Sequence, residues 1–378
     1  MTEFDAIVIG GGPVGAMLGL MLAPAGRSVA VIEARSSQSN DSRILALSWG
    51  TRLIFESLNL WSGLPVTPIK RICVSQQNGF GRVHFTSDEM GLPELGYVVR
   101  YVDIERMVST ELRKSGVEFI EGTRIDRLDP GYSRTRLYSG QKRFDTHLAV
   151  FADGGKLAEE QRLVTMNEKR YAELALVARI TLEVPAAGEA YERFTSNGPL
   201  ALLPSGSEYS LVWVLKPDEA EAYRTMHLNE FLIRLNRTLD QALPVAINAH
   251  ERAVFPLLLR EAVVPVSHRV ALIGNAAQTL HPVAGQGFNL GIRDARDLAG
   301  VLVQSHGDWG DETLLQAYVA RRRADSGAGL WWTDHLVEWF SSHNFMISVG
   351  RGMGLSAIEI LPGLRKWISR KMIFGWQG

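Results

Sequence analysis

Three glycines near the amino terminus have the clearest chemical meaning in the sequence. Gly10, Gly12 and Gly15 form a G-x-G-x-x-G pattern between a short apolar run, residues 6–9, and a helical pattern. The first glycine of such a pattern permits a tight turn, the second lets the backbone approach a pyrophosphate, and the third lets the helix pack closely. The helix amino terminus then faces the phosphates. The pattern predicts a dinucleotide site, and the alternative is an empty Rossmann-like turn.

A carboxylate at the end of the next strand supports this prediction. The apolar run of residues 29–32 ends at Glu33, where a side chain can accept hydrogen bonds from ribose hydroxyls. Strand, glycine turn, helix and second strand together form the βαβ unit that such a site requires. These features do not distinguish NAD from FAD.

A second glycine-rich segment lies far downstream. A buried strand at residues 270–273 is followed by the polar Asn275, and then by a glycine turn that starts a helix near Gly287. The run 274–294, GNAAQTLHPVAGQGFNLGIRD, resembles the signature of the ubiquinone-biosynthesis hydroxylases, a branch of the single-component FAD aromatic hydroxylases. The resemblance implies that the dinucleotide is FAD.

The resemblance extends along nearly the whole chain. Residues 41–47 resemble the family's second flavin segment, and residues 152–154, Ala-Asp-Gly, resemble its Asp-Gly motif. Gly155 departs from the Ser that commonly follows this motif, and Glu173 stands where Gln is frequent. The segments that resemble the branch hydroxylating 2-polyprenyl-6-methoxyphenol are 192–194, 198–204 and 210–213.

The resemblance implies which residues hold FAD. The three amino-terminal glycines would cradle the pyrophosphate, and Glu33 would hold the adenosine ribose. Arg43 and Arg100 would reach the middle of the cofactor, unless they are simply solvated charges. Asn275 would hold the ribityl chain or the pyrophosphate; many relatives carry Asp there, and Asn keeps the hydrogen-bonding oxygen without the charge. The other implied cofactor-binding residues are Asp153, Gly154, Pro282, Gly285, Gly287, Phe288 and Asn289.

The segment from Pro282 to Leu290 also suits a flavin on physical grounds. Reduced flavin carries negative charge over N1 and the C2 carbonyl, and a helix that starts near Gly287 directs N–H groups and a positive dipole end at that locus. The alternative is a plain helix-entry turn. His281 would lie beside the flavin and bind substrate or relay a proton, and the alternative is a structural histidine with satisfied hydrogen bonds.

The family's chemistry implies that NADH or NADPH reduces FAD and that O2 adds at flavin C4a. The distal oxygen then passes to an electron-rich ring carbon of a lipophilic prenylphenol. The protein orients the phenol and excludes water. No metal and no Ser-His-Asp set is needed, and no base for the phenol is identifiable. Two rival hypotheses remain: a hydroxylase of another lipophilic aromatic, and a non-catalytic flavin-binding partner in a biosynthetic complex.

The fold class implied is α/β, in two domains, as in p-hydroxybenzoate hydroxylase-like aromatic hydroxylases. A Rossmann-like FAD-binding domain is expected at 1–72, 98–165 and 266–325, a mixed antiparallel-sheet substrate domain at 73–97 and 166–265, and a helical segment at 326–378. Residues 41–61 read as helical. An apolar cavity is expected between the flavin and the sheet, and its candidate lining residues, which core packing would equally explain, are Leu203, Trp213 and Phe255.

Composition sets limits on partners and location. The chain has 40 basic and 41 acidic residues and a formal charge of -1, so no bulk field favours nucleic acid. Its single cysteine, Cys73, excludes an intramolecular disulfide and fits a reducing compartment, so cytoplasm is the expected location. No uncharged apolar stretch of about 18 residues is present, so membrane contact, if any, is peripheral.

The carboxy-terminal segment combines aromatic and basic residues at helical intervals. It is interpreted as a packing helix, as a contact for other ubiquinone-pathway proteins or for a second copy of the chain, or as a peripheral contact at the inner face of the membrane. The residues that support these interpretations are Trp331, Trp332, Leu336, Trp339, Phe340, Arg365, Lys366, Trp367, Ile368, Arg370, Lys371, Met372, Ile373 and Phe374.

Overall fold

A computed structural model describes residues 2–77, 79–185, 187–240, 243–280, 286–323 and 345–374. Its strands are β1 (Thr2–Ile9), β2 (Val29–Ile32), β3 (Ile44–Ser48), β4 (Thr67–Ile69), β5 (Arg71–Gln76), β6 (Arg82–Thr86), β7 (Gly96–Arg100), β8 (Glu118–Ile120), β9 (Arg127–Pro130), β10 (Thr135–Ser139), β11 (Lys142–Phe151), β12 (Met166–Leu182), β13 (Glu189–Phe194), β14 (Pro199–Ser205), β15 (Glu208–Leu215), β16 (Ala246–Ala262), β17 (Val266–Ser267), β18 (Val270–Leu272) and β19 (Gln278–Thr279).

The helices flank these strands. They are α1 (Pro13–Leu22), α2 (Trp49–Ser57), α3 (Ser87–Met90), α4 (Tyr101–Leu112), α5 (Lys156–Glu160), α6 (Pro217–Thr225), α7 (Leu228–Leu239), α8 (Gln286–Leu302), α9 (312–323), α10 (Phe345–Ile360) and α11 (Pro362–Phe374). Several residues singled out in the sequence lie outside the described ranges, namely His281, Pro282, Gly285, Trp331, Trp332, Leu336, Trp339 and Phe340.

The first sheet contains the βαβ unit predicted from the sequence. Its order is β17-β18-β11-β1-β2-β8, and β1 pairs in parallel with both β2 and β11. The β2 residues are all buried, as expected for a strand of a parallel sheet covered on both faces. Helices α1, α4 and α8 contribute to the apolar core on one face of the sheet. The carboxyl ends of β1, β11 and β18 therefore lie side by side at one edge.

The second sheet is mostly antiparallel. Its order is β19-β16-β12-β15-β14-β13-β5-β6. Helices α6 and α7 cover one face, where Phe231 and Leu235 join strand residues in a buried apolar cluster. The fold class predicted from the sequence, a Rossmann-like domain joined to a mixed antiparallel sheet, is confirmed.

A third, three-stranded sheet of order β3-β7-β4 contacts α8 through β3, and it contacts β14 of the second sheet through β4 and β7. The helical prediction for residues 41–61 is wrong in its first part, because Ile44 to Ser48 pair with β7 as a strand before α2 begins. Ser48 then caps α2, and its hydroxyl oxygen accepts the Thr51 N–H at 3.2 Å. Pairing with a distant strand outweighs the local helical pattern here.

Candidate functional site

The turn between β1 and α1 is packed tightly against the neighbouring strand end. Gly10 has φ +109°, and a Cβ there would lie 2.7 Å from the Ala152 carbonyl carbon. A Cβ on Gly15 would lie 2.0 Å from the Gly10 carbonyl oxygen. Both positions therefore require glycine for the turn itself, whether or not a ligand is present.

Gly12 differs from these two glycines. Its φ is −63°, which any residue adopts. Among the described residues, a Cβ on Gly12 would meet only the Tyr101 hydroxyl, at 3.5 Å, which is an ordinary contact. The fold itself thus leaves room for a side chain at Gly12. The space beside the turn is open, and this is the observation expected if a ligand occupies it.

The amino terminus of α1 faces this open space with its backbone donors free of side-chain caps. Gly12 is the N-cap residue and makes no side-chain hydrogen bond, and no acidic residue lies in the first turn. Pro13 has no N–H to satisfy. The N–H groups of Val14 and Gly15 and the positive end of the helix dipole are therefore directed at the space, which suits a pyrophosphate.

Glu33 lies beside the same turn. Its carboxylate accepts the Gly11 N–H at 2.7 Å and both the backbone N–H and the Nε–H of Arg35 at 2.9 Å. Burial raises the pKa of Glu33, but the hydrogen bonds from Arg35 and Gly11 outweigh it, and the pKa is lowered from its usual value. Glu33 is therefore an anionic acceptor held at the strand end where a ribose would bind.

Arg43 and Arg100 lie near each other across the third sheet. Ile44 pairs with Arg100 in the β3–β7 register. Arg43 stacks over the Tyr101 ring at 5.0 Å from its centroid, and Tyr101 is the residue nearest Gly12. Arg43 thus lies close to the turn between β1 and α1. Each arginine currently pairs with a nearby aspartate, Arg43 with Asp41 at 2.6 Å and Arg100 with Asp103 at 2.6 Å.

The Asp-Gly motif follows β11 directly. The Asp153 carboxylate accepts the Gly155 N–H at 2.9 Å, and desolvation raises the pKa of Asp153. Gly154 has φ +95° and nothing described within 4 Å of a Cβ, so its outer side is open. The departure from Ser at Gly155 has a structural reason. Its φ is +76°, and a Cβ there would lie 2.9 Å from the Ala276 carbonyl oxygen.

Asn275 is presented to solvent by a short turn after β18. Its side-chain amide makes no hydrogen bond within the part of the chain that the structure describes, and the residue is exposed. Its free amide oxygen and N–H groups are available to a ligand. Asn275 and Gly154 follow β18 and β11, which are paired, and Gly12 follows β1, so all three lie at the same sheet edge.

A buried ion pair that sequence reasoning missed holds the Asn275 turn in place. The Asp294 carboxylate accepts the Gly274 N–H at 3.0 Å and the Arg322 Nε–H at 3.1 Å. Burial raises the pKa of Asp294 to about 6, opposed by the Arg322 charge. The Asp294 and Arg322 side chains are 2% and 5% exposed. Asp294 was visible in the family signature, but its partner on α9 had no local signal.

The remaining predicted cofactor residues that the structure describes lie in the first turn of α8, and their surroundings differ. A Cβ on Gly287 would meet, among described atoms, only the Leu280 Cβ at 4.0 Å, so its surroundings are open. Phe288 packs against the main core. Asn289 is buried, and its amide bonds to Ser48 N–H, the Thr51 hydroxyl and the Ala46 carbonyl. The Asn289 side chain therefore links α8 to β3, and a direct side-chain contact with a cofactor is not available to it.

The predicted substrate-lining residues lie on different faces of the second sheet. Leu203 packs with Ile69 and Val98 of the third sheet, on the face opposite the one that α6 and α7 cover. Phe255 pairs with Ala175, opposite the helix-covered face, and is 48% exposed. Trp213 instead lies under α6, with its ring 5.2 Å from that of Tyr223. The prediction for Trp213 is wrong, because strand alternation points it to the other face.

The sequence resembles known flavoproteins over almost its full length. Residues 3–329 match the family model described as an FAD binding domain. The chain is 32% identical over 382 residues to the ubiquinone hydroxylase UbiL of Rhodospirillum rubrum, covering 97% of this chain and 88% of that protein. It is 28% identical to the 3-demethoxyubiquinol 3-hydroxylase of Escherichia coli, covering 94% of each.

The fold resembles solved structures of the same general class. The crystal structure of p-nitrophenol 4-monooxygenase PnpA from Pseudomonas putida DLL-E4 superimposes with a TM-score of 0.83 over 99% of both chains, at 17% sequence identity. Identity at this level supports the fold and not the substrate. The open space at Gly12 and the uncapped helix end fit the dinucleotide that the family model names.

Proposed function

The chain belongs to the FAD-dependent hydroxylases of ubiquinone biosynthesis, and from that premise we propose that it hydroxylates the ring of a polyprenylated phenol, 2-polyprenyl-6-methoxyphenol, using NADH or NADPH and O2. It is an FAD-dependent monooxygenase. The relatives' names support the pathway, and the choice of phenol rests on the resemblance of residues 192–194, 198–204 and 210–213.

The observation that carries the proposal is the open space at Gly12 beside an uncapped helix end. Gly10 and Gly15 are required by the packing of the turn, whereas Gly12 is not. A fold that needed only a turn would tolerate a side chain at Gly12. Glu33 and Asn275 flank the same sheet edge with a carboxylate and a free amide, as a cofactor with a ribose and a ribityl chain requires.

Different residues of the site would bind different parts of FAD. Val14 and Gly15 N–H groups would bind the pyrophosphate, Glu33 the adenosine ribose, and Asn275 the ribityl chain. When bound, FAD supplies the redox chemistry that accepts a hydride and activates O2. The protein's own part is to orient the ring, exclude water and manage protons.

The face of the second sheet toward the FAD-binding domain suits a lipophilic ring. Leu203, Val212, Phe255 and Leu257 present apolar side chains there, and Phe255 remains half exposed. Apolar surface that borders a cofactor cleft is typical of a site for an apolar ligand. Leu203 and Phe255 remain candidate lining residues, and both belong to this proposal.

Complementation tests the proposed substrate directly. The gene is expressed in a quinone-deficient strain that lacks its own hydroxylase, and lipid extracts are analysed by mass spectrometry. We expect ubiquinone to return and the accumulated prenylphenol to disappear, and the Gly12→Val variant to restore neither. Restored NADH oxidation without loss of the prenylphenol would favour a hydroxylase of another aromatic. A purified protein that binds FAD and never turns over would favour the non-catalytic partner.

We also propose that the α10–α11 corner contacts an anionic membrane surface peripherally. No helix in the described ranges is long and apolar enough to cross a membrane. Ile368 and Ile373 of α11 pack in an apolar cluster with β6 and α10, whereas other apolar residues of this corner are exposed, and the exposed basic residues Lys366 and Arg370 accompany them. The exposed apolar residues are Ile360, Leu361, Leu364 and Trp367. An exposed apolar and basic corner fits a lipid surface.

Arg365 does not belong to that corner. Its guanidinium bonds to Glu89 at 2.7 Å and to Glu359 at 3.2 Å, and its side chain is 13% exposed. The sequence grouped it with the other basic residues of α11. The structure assigns it to a packing role between α11, α3 and α10.

A further inference from the structure

One carboxyl in the second sheet has no partner among the residues that the structure describes. Glu192 lies on β13, where it pairs with Ala201 of β14 and with Val74 of β5. Its carboxyl makes no hydrogen bond and no ion pair within the described chain, although the strand is internal to the sheet. The residue is only half-buried, so its carboxyl is satisfied neither by a described protein group nor by full exposure to water, and it remains available to a ligand.

Strand alternation explains why Glu192 is not neutralised by its neighbour. Arg193 is adjacent in sequence and points to the opposite face, where it donates to the Thr238 carbonyl at 2.7 Å and to the Ser75 hydroxyl at 3.1 Å. The Arg193 guanidinium is thereby held at the end of α7. The two charges cannot meet across the sheet.

The face that carries Glu192 is the one toward the FAD-binding domain. Ala190, two residues earlier on the same face, packs with Ile69 and Val98 of the third sheet. Leu203, the proposed lining residue, belongs to the same cluster. Glu192 is therefore on the side of the sheet where the phenol ring is proposed to bind, and it retains partial access to solvent.

The residues paired with Glu192 on both neighbouring strands, Ala201 and Val74, are apolar. Val74, its neighbour on β5, packs against the cluster that β6 forms with α10 and α11. Glu359 of α10 and Arg365 of α11 pair with each other, and they also pair with His84 and Glu89, respectively. Desolvation is the cause of the perturbation at Glu192, and it raises the pKa of this carboxyl to about 7.

We propose that Glu192 is the base that accepts the hydroxyl proton of the bound phenol. The O–H bond of the phenol breaks, a new O–H bond forms on the Glu192 carboxylate, and the electron pair stays on the phenolate oxygen. No electrons leave the ring in this step. The phenolate is the more electron-rich ring, and the carboxyl returns its proton to solvent through its accessible side. This inference rests on the proposed function.

A base whose pKa lies near neutrality is suited to removing the phenol proton at neutral pH. A free phenol has a pKa of about 10, so roughly one molecule in a thousand is ionised at pH 7. A base works best when its own pKa lies near the operating pH. A carboxyl with an ordinary pKa near 4 would be a much weaker base than Glu192. The absence of a charged partner therefore makes Glu192 a stronger base.

The test compares Glu192→Gln with Glu189→Gln, the same change on the same strand facing the other way. FAD-loaded proteins are assayed with 2-methoxy-6-prenylphenol and NADPH from pH 6 to 9. We expect kcat of Glu192→Gln to be at least about 10-fold lower at pH 7 and to rise with pH as the phenol ionises unaided. Wild type and Glu189→Gln should reach a plateau near pH 7 to 8.

A binding readout separates a base from a residue with only a structural role. Phenolate and phenol absorb at different wavelengths, so a difference spectrum reports ionisation of the bound phenol without turnover. We expect phenolate on wild type at pH 8 and neutral phenol on Glu192→Gln, with equal FAD content in both.

The outcomes distinguish this inference from the proposed function. If wild type hydroxylates the phenol and Glu192→Gln matches it in rate and pH profile, Glu192 is not the base and the proposed function stands. If wild type does not hydroxylate any prenylphenol, the proposed function itself fails. A Glu192→Gln protein that does not fold would also overturn the inference, because a carboxyl without partners loses no contact on conversion to an amide.

Discussion

Replacing Gly12 with valine should strongly weaken FAD binding and leave the apoprotein folded. The side chain would enter the open space in front of the Val14 and Gly15 N–H groups, where the pyrophosphate is proposed to lie. Hydrogen bonds to charged groups contribute about 1.5 to 3 kcal/mol each, so the loss of two would cost about 3 to 6 kcal/mol. Affinity for FAD would fall by a factor of about 10² to 10⁴.

The apoprotein should scarcely change in stability. A Cβ at Gly12 makes one ordinary 3.5 Å contact, with Tyr101, and φ is −63°. Valine is a poorer N-cap than glycine, which costs about 1 kcal/mol. Gly15→Ala in the same turn is the matched contrast. Its Cβ would lie 2.0 Å from the Gly10 carbonyl oxygen, so it should destabilise the apoprotein by about 1 to 3 kcal/mol or more.

Two measurements on each apoprotein distinguish a loss of FAD binding from a loss of stability. Fluorescence titration gives the FAD dissociation constant, and urea unfolding gives the free energy of unfolding. We expect Gly12→Val to be defective in the first and near normal in the second, and Gly15→Ala to be defective in the second. FAD affinity of Gly12→Val within about threefold of wild type would refute the placement of the pyrophosphate.

Three further predictions concern charges. The raised pKa of Glu192 makes its ionisation unfavourable in the folded state, so the free energy of unfolding of wild type should fall between about pH 4.5 and 7, whereas that of Glu192→Gln should not. Above pH 7, urea unfolding should show the variant to be more stable than wild type by roughly 1 to 3 kcal/mol. Equal stability of the two proteins across this pH range would contradict the prediction. Arg322→Met should lower the free energy of unfolding by about 3 to 5 kcal/mol, because the Asp294 carboxylate is left buried without its charge partner. Adding Asp294→Asn should recover part of that loss. A loss under about 1 kcal/mol in the single variant would count against the buried ion pair. Changing the exposed Lys366 and Arg370 of α11 to Gln should weaken flotation with anionic vesicles at low salt and leave FAD content unchanged, whereas Arg365→Gln should lose thermal stability instead. Wild type that ignores the vesicles would favour a protein contact.

The fold and the location of the site could be predicted from the sequence because their signals are local. The spacing of Gly10, Gly12 and Gly15 and the strand that ends at Glu33 specify a βαβ unit within one short stretch. The family signature places the Asn275 turn at the same sheet edge. The separate reasons for the three glycines became visible only with the strand that packs on Gly10 and Gly15.

Other features depend on distant partners and had no local signal. Trp213 and Leu203 are both apolar residues of a strand, and which face each occupies depends on how β14 and β15 pair. Asn289 reads as a cofactor residue until β3 is placed beside α8. Glu192 and Arg193 are adjacent in sequence, and only their places on a strand show that the two side chains lie on opposite faces. The sequence states residue types, and register decides what each residue contacts.

The origin of the oxygen in the product tests the central claim most directly. The purified FAD-loaded protein is supplied with NADPH or NADH, 2-methoxy-6-prenylphenol and oxygen-18 gas in ordinary water, and the product is analysed by mass spectrometry. A monooxygenase predicts a ring-hydroxylated product that carries one labelled oxygen atom, with at least one reduced nucleotide consumed for each product formed. A product oxygen that came from water, or nucleotide oxidation with no hydroxylated phenol, would contradict the account.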